Sequence, residues 1–272
     1  MYLLQAEQLV KKFGHRTVVA GVSFDVNRAE IVGLLGRNGA GKTTSFRMTI
    51  GMLIPDGGRV VFDGEDVTRF SMYKRANRGI GYLSQEPSIL RRATVEQNLL
   101  AFLEMEPISK RERKERLEAL LLRFGLAKTR KQLARTLSGG ERRKLEIARA
   151  LIKNPDLILL DEPFSGVDPL AVEDLQREIL RLRNERGIAM LITDHNVQQT
   201  LRVCDRAYIM VEGRILAEGT PRELIRDERV RSAYLGSMFR GDEFDELGLE
   251  SGSEAGSESG SEAGSEAGLI GG

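Results

Sequence analysis

Short apolar runs bounded by turn-forming residues recur along this sequence: VVAGVSFDV (18–26), IVGLLG (31–36), GIGYLS (79–84), LILLD (157–161), IAMLIT (188–193) and RAYIMVEGRILAEG (206–219). Each predicts a strand, and the last predicts a hairpin turning at Glu212-Gly213 with apolar residues on both sides. Between them the apolar spacing becomes helical, after Lys42, Thr94, Ser109, Gly140, Pro169 and Asn196. Buried, β-branched strands joined through helices predict an α/β fold around a largely parallel central sheet. From Gln85 to Pro155 no convincing strand occurs, so residues 86–154 are expected to form a helical subdomain inserted into the α/β core. The pattern stops at Gly241. Beyond it Gly, Ser, Glu and Ala repeat with few large apolar residues. Such a segment cannot bury enough surface to offset its ordering entropy, which predicts a disordered acidic tail (241–272) after a folded domain (1–240).

Composition refines this picture in one respect. The net charge of +1 hides an acidic tail: nine of the 40 acidic residues follow Arg240, with no basic residue among them. Residues 1–240 therefore carry 41 basic and 31 acidic side chains, a balance that suits nucleotide phosphates or an anionic membrane surface. Aromatic residues interleaved with basic ones, as single-stranded nucleic acid requires, are missing, so no nucleic-acid partner is expected. The one cysteine, Cys204, excludes a disulfide framework and reads as a small buried hydrophobe. MYLLQAEQLV has no signal-peptide character, and no window approaches the ~18 apolar residues of a membrane span. Together these predict a soluble cytoplasmic protein.

Candidate chemistry begins at GRNGAGKTT (36–44), which follows an apolar strand and opens a helix. Gly36, Gly41, Lys42 and Thr43 fit the phosphate-binding P-loop in full, with Arg37, Asn38, Gly39, Ala40 and Thr44 completing the loop. Glycines let the backbone wrap phosphate oxygens, the Lys42 ammonium reaches the β- and γ-phosphates, and the Thr43 hydroxyl ligates Mg²⁺. LILLDE (157–162) is a buried strand ending in adjacent carboxylates. Asp161 is expected to hold Mg²⁺ through water, and Glu162 to act as general base on an attacking water. These elements predict an NTP-hydrolysing core.

A second anion site stands a hundred residues later. In LSGGERRKLEIARA, a Ser and two glycines precede a helix and leave backbone N–H groups free at its positive end. LSGGE before a helix, followed by a strand ending in DE, resembles the ATP-binding cassette family over residues 1–240. In that family two domains pack head to tail, and each signature loop closes on the nucleotide held by the other. The resemblance implies that Leu137, Ser138, Gly139, Gly140 and Glu141 meet the ATP of a second copy, in a homodimer with two composite sites. It further implies that Gln85 contacts Mg²⁺ or the attacking water, that His195 contacts the γ-phosphate, and that Asp168 crosses the dimer interface. Phe13 matches the position whose aromatic ring stacks on adenine. ATP and Mg²⁺ are the cofactors implied.

Within the family, EPSILRRATVEQNLLAFLE (86–104), DEPFSGVDP, LITDHNVQQTL, CDRAYIM and YLGSMF are similar to ATPases of lipopolysaccharide-export transporters. That likeness implies a peripheral position on the cytoplasmic face of the inner membrane, with integral membrane subunits docking near residues 86–104. ATPases of branched-chain amino-acid importers, which share this length and domain ending, and soluble cassette proteins without a membrane partner are the alternatives.

Overall fold

The computed structural model describes residues 2–86 and 88–235; the tail expected from Gly241 lies outside them. Among the described residues ten strands run β1 (Tyr2–Phe13), β2 (Arg16–Asn27), β3 (Ile31–Gly36), β4 (Gly57–Phe62), β5 (Glu65–Asp66), β6 (Ile80–Leu83), β7 (Leu157–Asp161), β8 (Ala189–Asp194), β9 (Arg206–Val211) and β10 (Arg214–Gly219). The central sheet has the order β10-β9-β3-β8-β7-β6. Its strands from β9 to β6 are parallel, and β10 closes one edge as the antiparallel arm of the Glu212-Gly213 hairpin. Strands β3, β7 and β8 are buried along their whole length, which is why they read as unbroken apolar runs.

The run VVAGVSFDV forms a strand, as expected, but outside this sheet. It lies in β2, in a separate antiparallel sheet of order β2-β1-β4-β5. Strands β1, β4 and β5 were not expected from the pattern, and β1 shows why. Its pairing register shifts between Ala6 and Leu9 around Gln8, whose φ is +48°, so the buried residues fall at Leu3, Leu4, Ala6 and Leu9 rather than at alternate positions. A bulge breaks the period of two that marks a strand in sequence. Gly58 accommodates it: a Cβ there would sit 2.3 Å from the Gln8 carbonyl oxygen.

The helices are α1 (Lys42–Ile50), α2 (Met72–Ala76), α3 (Val95–Leu103), α4 (Lys110–Arg123), α5 (Gly139–Ala150), α6 (Pro169–Arg186), α7 (Val197–Leu201), α8 (Pro221–Arg226) and α9 (Glu228–Val230). Side-chain caps start most of them: Thr94, Ser109, Ser138, Asp168, Asn196 and Thr220 each accept a backbone N–H from the first turn. Helices α3, α4 and α5 fill the interval between β6 and β7, with one isolated bridge between Thr94 and Leu133. Alternate residues of the central strands feed two cores. Ile158 and Leu160 of β7 pack with α3 to α6, whereas Leu157 and Leu159 pack with Phe46 and Met48 of α1 and with the antiparallel sheet. Among the described residues no helix is long and apolar enough to cross a membrane.

Helix α1 is anchored at its far end by an unusual group. Arg75 of α2 is fully buried, and its guanidinium donates to the carbonyls of Met48, Thr49, Thr68 and Phe70. Met48 and Thr49 lie in the last turn of α1, where unpaired carbonyls and the negative end of the helix dipole favour a cation. Burial pushes the Arg75 guanidinium down to about 10, opposed by the charge of Asp66.

Candidate active site

Parallel pairing sets the ends of β3, β8 and β7 side by side, with Leu35 opposite Asp194 and Thr193 opposite Asp161. The loop after β3 turns into α1 through Gly41, whose φ of +102° and 2.8 Å approach of a notional Cβ to the Val18 carbonyl admit only glycine. Asn38, Gly39, Gly41, Lys42, Thr43 and Thr44 line a cleft of about 500 Å³ with Gln85, Glu162, Ser165, His195 and Val18. Thus the loop residues share one cleft with three candidates that follow strands elsewhere in the chain. Gly36 and Ala40 are buried behind it, and Arg37 is exposed. Lys42 Nζ donates to the Gly36 carbonyl at 2.6 Å and to the Arg37 carbonyl at 3.2 Å. Burial pushes the Lys42 ammonium below the usual lysine range, while the charges of Glu162, Asp194 and Asp161 oppose that shift.

The carboxylates at the end of β7 are held from several sides. Asp161 is buried; Thr193 Oγ1 donates to its Oδ1 at 2.8 Å, and the Tyr82 hydroxyl lies 3.5 Å from its Oδ2. Burial first, and the Asp161 charge second, push the Tyr82 phenol up to about 12. Gln85 Nε2 donates to Glu162 Oε2 at 2.7 Å, and His195 Nδ1 lies 3.3 Å from the same oxygen. Glu162, Gln85 and His195 therefore converge beside the phosphate loop. Buried Arg143 of α5 ties this region to the signature helix, donating to the Ser84 carbonyl at 2.9 Å, the Asp161 carbonyl at 3.2 Å and Glu146 at 3.0 Å.

The LSGGE segment lies elsewhere. Ser138, Gly140 and Glu141 line a second cleft, of about 310 Å³, with Asp168, Leu170 and Ala171. Ser138 caps α5 by accepting the Glu141 N–H at 3.2 Å, and Glu141 accepts the Ser138 N–H at 3.0 Å. Gly140 packs against α6, where a Cβ would approach that of Ala171 to 2.7 Å. Leu137 is buried in the core, and Leu170 is exposed. Phe13 ends β1, half exposed, with the Lys11 ammonium 5.9 Å from its ring.

The sequence profile of the ABC transporter family matches residues 19–165, more than half of the chain. The chain belongs to the ATP-binding cassette family of ABC transporters. It is an ATPase and binds nucleotide. It is 53% identical, over 88% of its length, to the lipopolysaccharide export system ATP-binding protein LptB of Haemophilus influenzae, covering 100% of that relative. The LptB of Escherichia coli K12 is 50% identical over the same shares of both chains. A solved ATP-binding cassette of an ABC transporter, in its ADP conformation, superposes with a TM-score of 0.78 at 32% identity, covering 87% of this chain and 99% of that one. A second profile, of the branched-chain amino acid ATP-binding cassette transporters, matches residues 214–240.

Several residues of this cassette escaped sequence reasoning: Thr193, Asp194, Tyr82, Arg143 and Arg75. The first two carried a signal, since they stand beside His195 at the end of an apolar strand. Arg143 and Arg75 carried none, because an arginine among many on polar helices reads as solvated.

Proposed function

We propose that ATP hydrolysis by this cassette powers the export of lipopolysaccharide from the inner membrane, in a homodimer attached to integral membrane subunits on the cytoplasmic face. The observation that carries this reading is the 53% identity to an LptB across that relative's entire length. The backbone N–H groups of the loop from Gly36 to Thr44 and the Lys42 ammonium bind the phosphates. Glu162 takes a proton from the attacking water, Gln85 orients that water, and His195 contacts the γ-phosphate. Phe13, exposed at the end of β1, stacks on adenine.

Oxygen donors on Thr43, Asp161 and Gln85 suit Mg²⁺, which takes one or two carboxylates and completes its shell with phosphate oxygens and water. Held there, the ion would neutralise charge on the phosphates.

Within one copy the signature residues Ser138, Gly140 and Glu141, together with Asp168, border a cleft separate from the phosphate loop. In a head-to-tail pair that cleft closes on the partner copy's nucleotide. Docking of the membrane subunits falls near residues 86–104. Ile89 and Leu99 there belong to the core, Phe102 lies 4.1 Å beneath the Arg149 guanidinium, and Leu90, Arg91 and Arg92 are exposed. Import of branched-chain amino acids is the second reading, favoured only by the short match at residues 214–240. Isolating the native complex and sequencing its membrane subunits decides between the two. Amino-acid permease subunits there would refute export. For the chemistry, Glu162→Gln keeps ATP binding and lowers turnover by at least a hundredfold, because the amide cannot accept a proton (about 2.7 kcal/mol of barrier or more). Near wild-type hydrolysis would remove Glu162 as the base.

A further inference from the structure

Asp194 takes no part in the chemistry above, although it stands next to His195. It ends β8 opposite Leu35 of the phosphate-loop strand and is fully buried. Both carboxylate oxygens are engaged. Oδ2 accepts the Phe164 N–H at 3.2 Å, and Oδ1 accepts the Asn196 N–H at 2.9 Å and lies 3.4 Å from His195 Nδ1. These groups come from the two segments that carry the reactive side chains: the turn that follows Glu162 and the loop that presents His195.

The Glu162 turn needs such a restraint. Glu162 has φ of +46°, a left-handed conformation that L side chains seldom adopt and that persists only where surrounding bonds over-determine it. The end of β8 supplies two of those bonds: the Glu162 N–H donates to the Thr193 carbonyl at 2.7 Å, and the Phe164 N–H donates to Asp194. On its other oxygen, Asp194 faces the same ring edge of His195 that Glu162 Oε2 approaches at 3.3 Å. Carboxylate oxygens of Glu162 and Asp194 thus both face the Nδ1 edge of the ring, and the Nε2 edge remains for a ligand.

We propose that Asp194 is a positioning residue for ATP hydrolysis, a single buried carboxylate that ties the strained Glu162–Phe164 turn to the Nδ1 edge of His195. This rests on the reading of Glu162 as base and His195 as γ-phosphate contact. Two acceptor oxygens are required because two backbone N–H groups arrive from different segments. An asparagine offers one acceptor and points an NH₂ at the other donor; a serine offers a single oxygen on a shorter arm.

Asp194→Asn in the full chain tests the assignment, with Asp194→Ser in its place if the first variant does not fold. Removing a support of this kind lowers kcat roughly 10- to 100-fold. KM for ATP stays within about twofold, since the phosphate-loop contacts persist. A second readout distinguishes positioning from general structural damage. The chain has two histidines, His15 and His195, so an imidazole ¹⁵N spectrum holds two ring systems, and His15→Gln identifies which is which. Asp194→Asn shifts the His195 Nδ1 resonance and leaves that of His15 in place. A folded variant with wild-type kcat overturns the proposal. So does a loss confined to KM, or a lowered kcat with an unmoved His195 signal. Glu162→Gln and His195→Ala are measured alongside. Turnover retained in both would overturn the underlying reading of the site, whereas their loss together with a fully active Asp194→Asn would overturn this inference alone.

Discussion

Replacing Arg75 by methionine, of similar length but without charge or donors, removes the anchor beneath the nucleotide helix. The guanidinium donates at 3.1 Å to the Phe70 carbonyl and at 2.9 Å to those of Met48 and Thr68, with a fourth, short bond to Thr49. A hydrogen bond from a charged donor contributes about 1.5–3 kcal/mol net, so four bonds bound the gross effect at about 6–12 kcal/mol. Two effects reduce it. Methionine avoids the desolvation that pushes Arg75 down to about 10, and the Met48 carbonyl keeps a 3.3 Å bond from the Gly51 N–H. The net loss is about 3–5 kcal/mol, the range for removing one partner of a buried charged network. At roughly 2–4 °C per kcal/mol for a domain of this size, Tm falls by about 6–20 °C. Circular dichroism through urea and thermal unfolding measures both quantities. Arg75→Lys retains the charge, but one ammonium cannot span four carbonyls, so it recovers less than half of the loss. Because two of the carbonyls end α1, whose first turn lines the cleft proposed for the phosphates, KM for ATP is expected to rise as well. A loss under about 1 kcal/mol with an unchanged m-value would refute the idea that Arg75 anchors this helix.

If the two clefts complete each other across a dimer, mixing Lys42→Ala and Ser138→Arg chains, each inactive alone, restores about a quarter of wild-type turnover, since half the dimers then hold one intact site. A Ser138→Arg chain that hydrolyses ATP while sedimenting as a monomer would exclude shared sites. Reversing the exposed Arg91 and Arg92 to Glu weakens co-purification with membrane subunits by roughly tenfold and leaves the isolated ATPase unchanged, because neither residue lines the nucleotide cleft; full transport by that variant would place docking elsewhere. The Tyr82 phenol, raised from 10.0 to about 12, contributes stability that is complete below pH 10 and lost as pH climbs through 12. Tyr82→Phe flattens that decline, and an identical alkaline unfolding curve would show that the phenol ionises freely in the fold.

The parts of this cassette legible in its sequence are those whose signals lie within a few residues. The phosphate loop is one, since Gly36 to Thr43 needs only a strand before it and a helix after it. The same holds for the Ser138–Glu141 capping box, for the paired acids that end a buried strand and for the Glu212-Gly213 hairpin. Strand β1 of the antiparallel sheet was missed because the bulge at Gln8 breaks its period, and that bulge is accommodated by a glycine on another strand. Other decisions belong to the tertiary structure alone. Arg75 meets Met48 across 27 positions of sequence, Asp194 meets Phe164 across 30, Thr193 meets Asp161 across 32 and Arg143 meets Ser84 across 59. Each is a polar side chain whose burial is tolerable only with a partner that the fold delivers, so nothing in its own neighbourhood distinguishes it from a solvated one. The sequence by itself names the groups proposed to touch phosphate; only the packed sheet, by aligning the ends of β3, β8 and β7, determines which buried groups stand behind them.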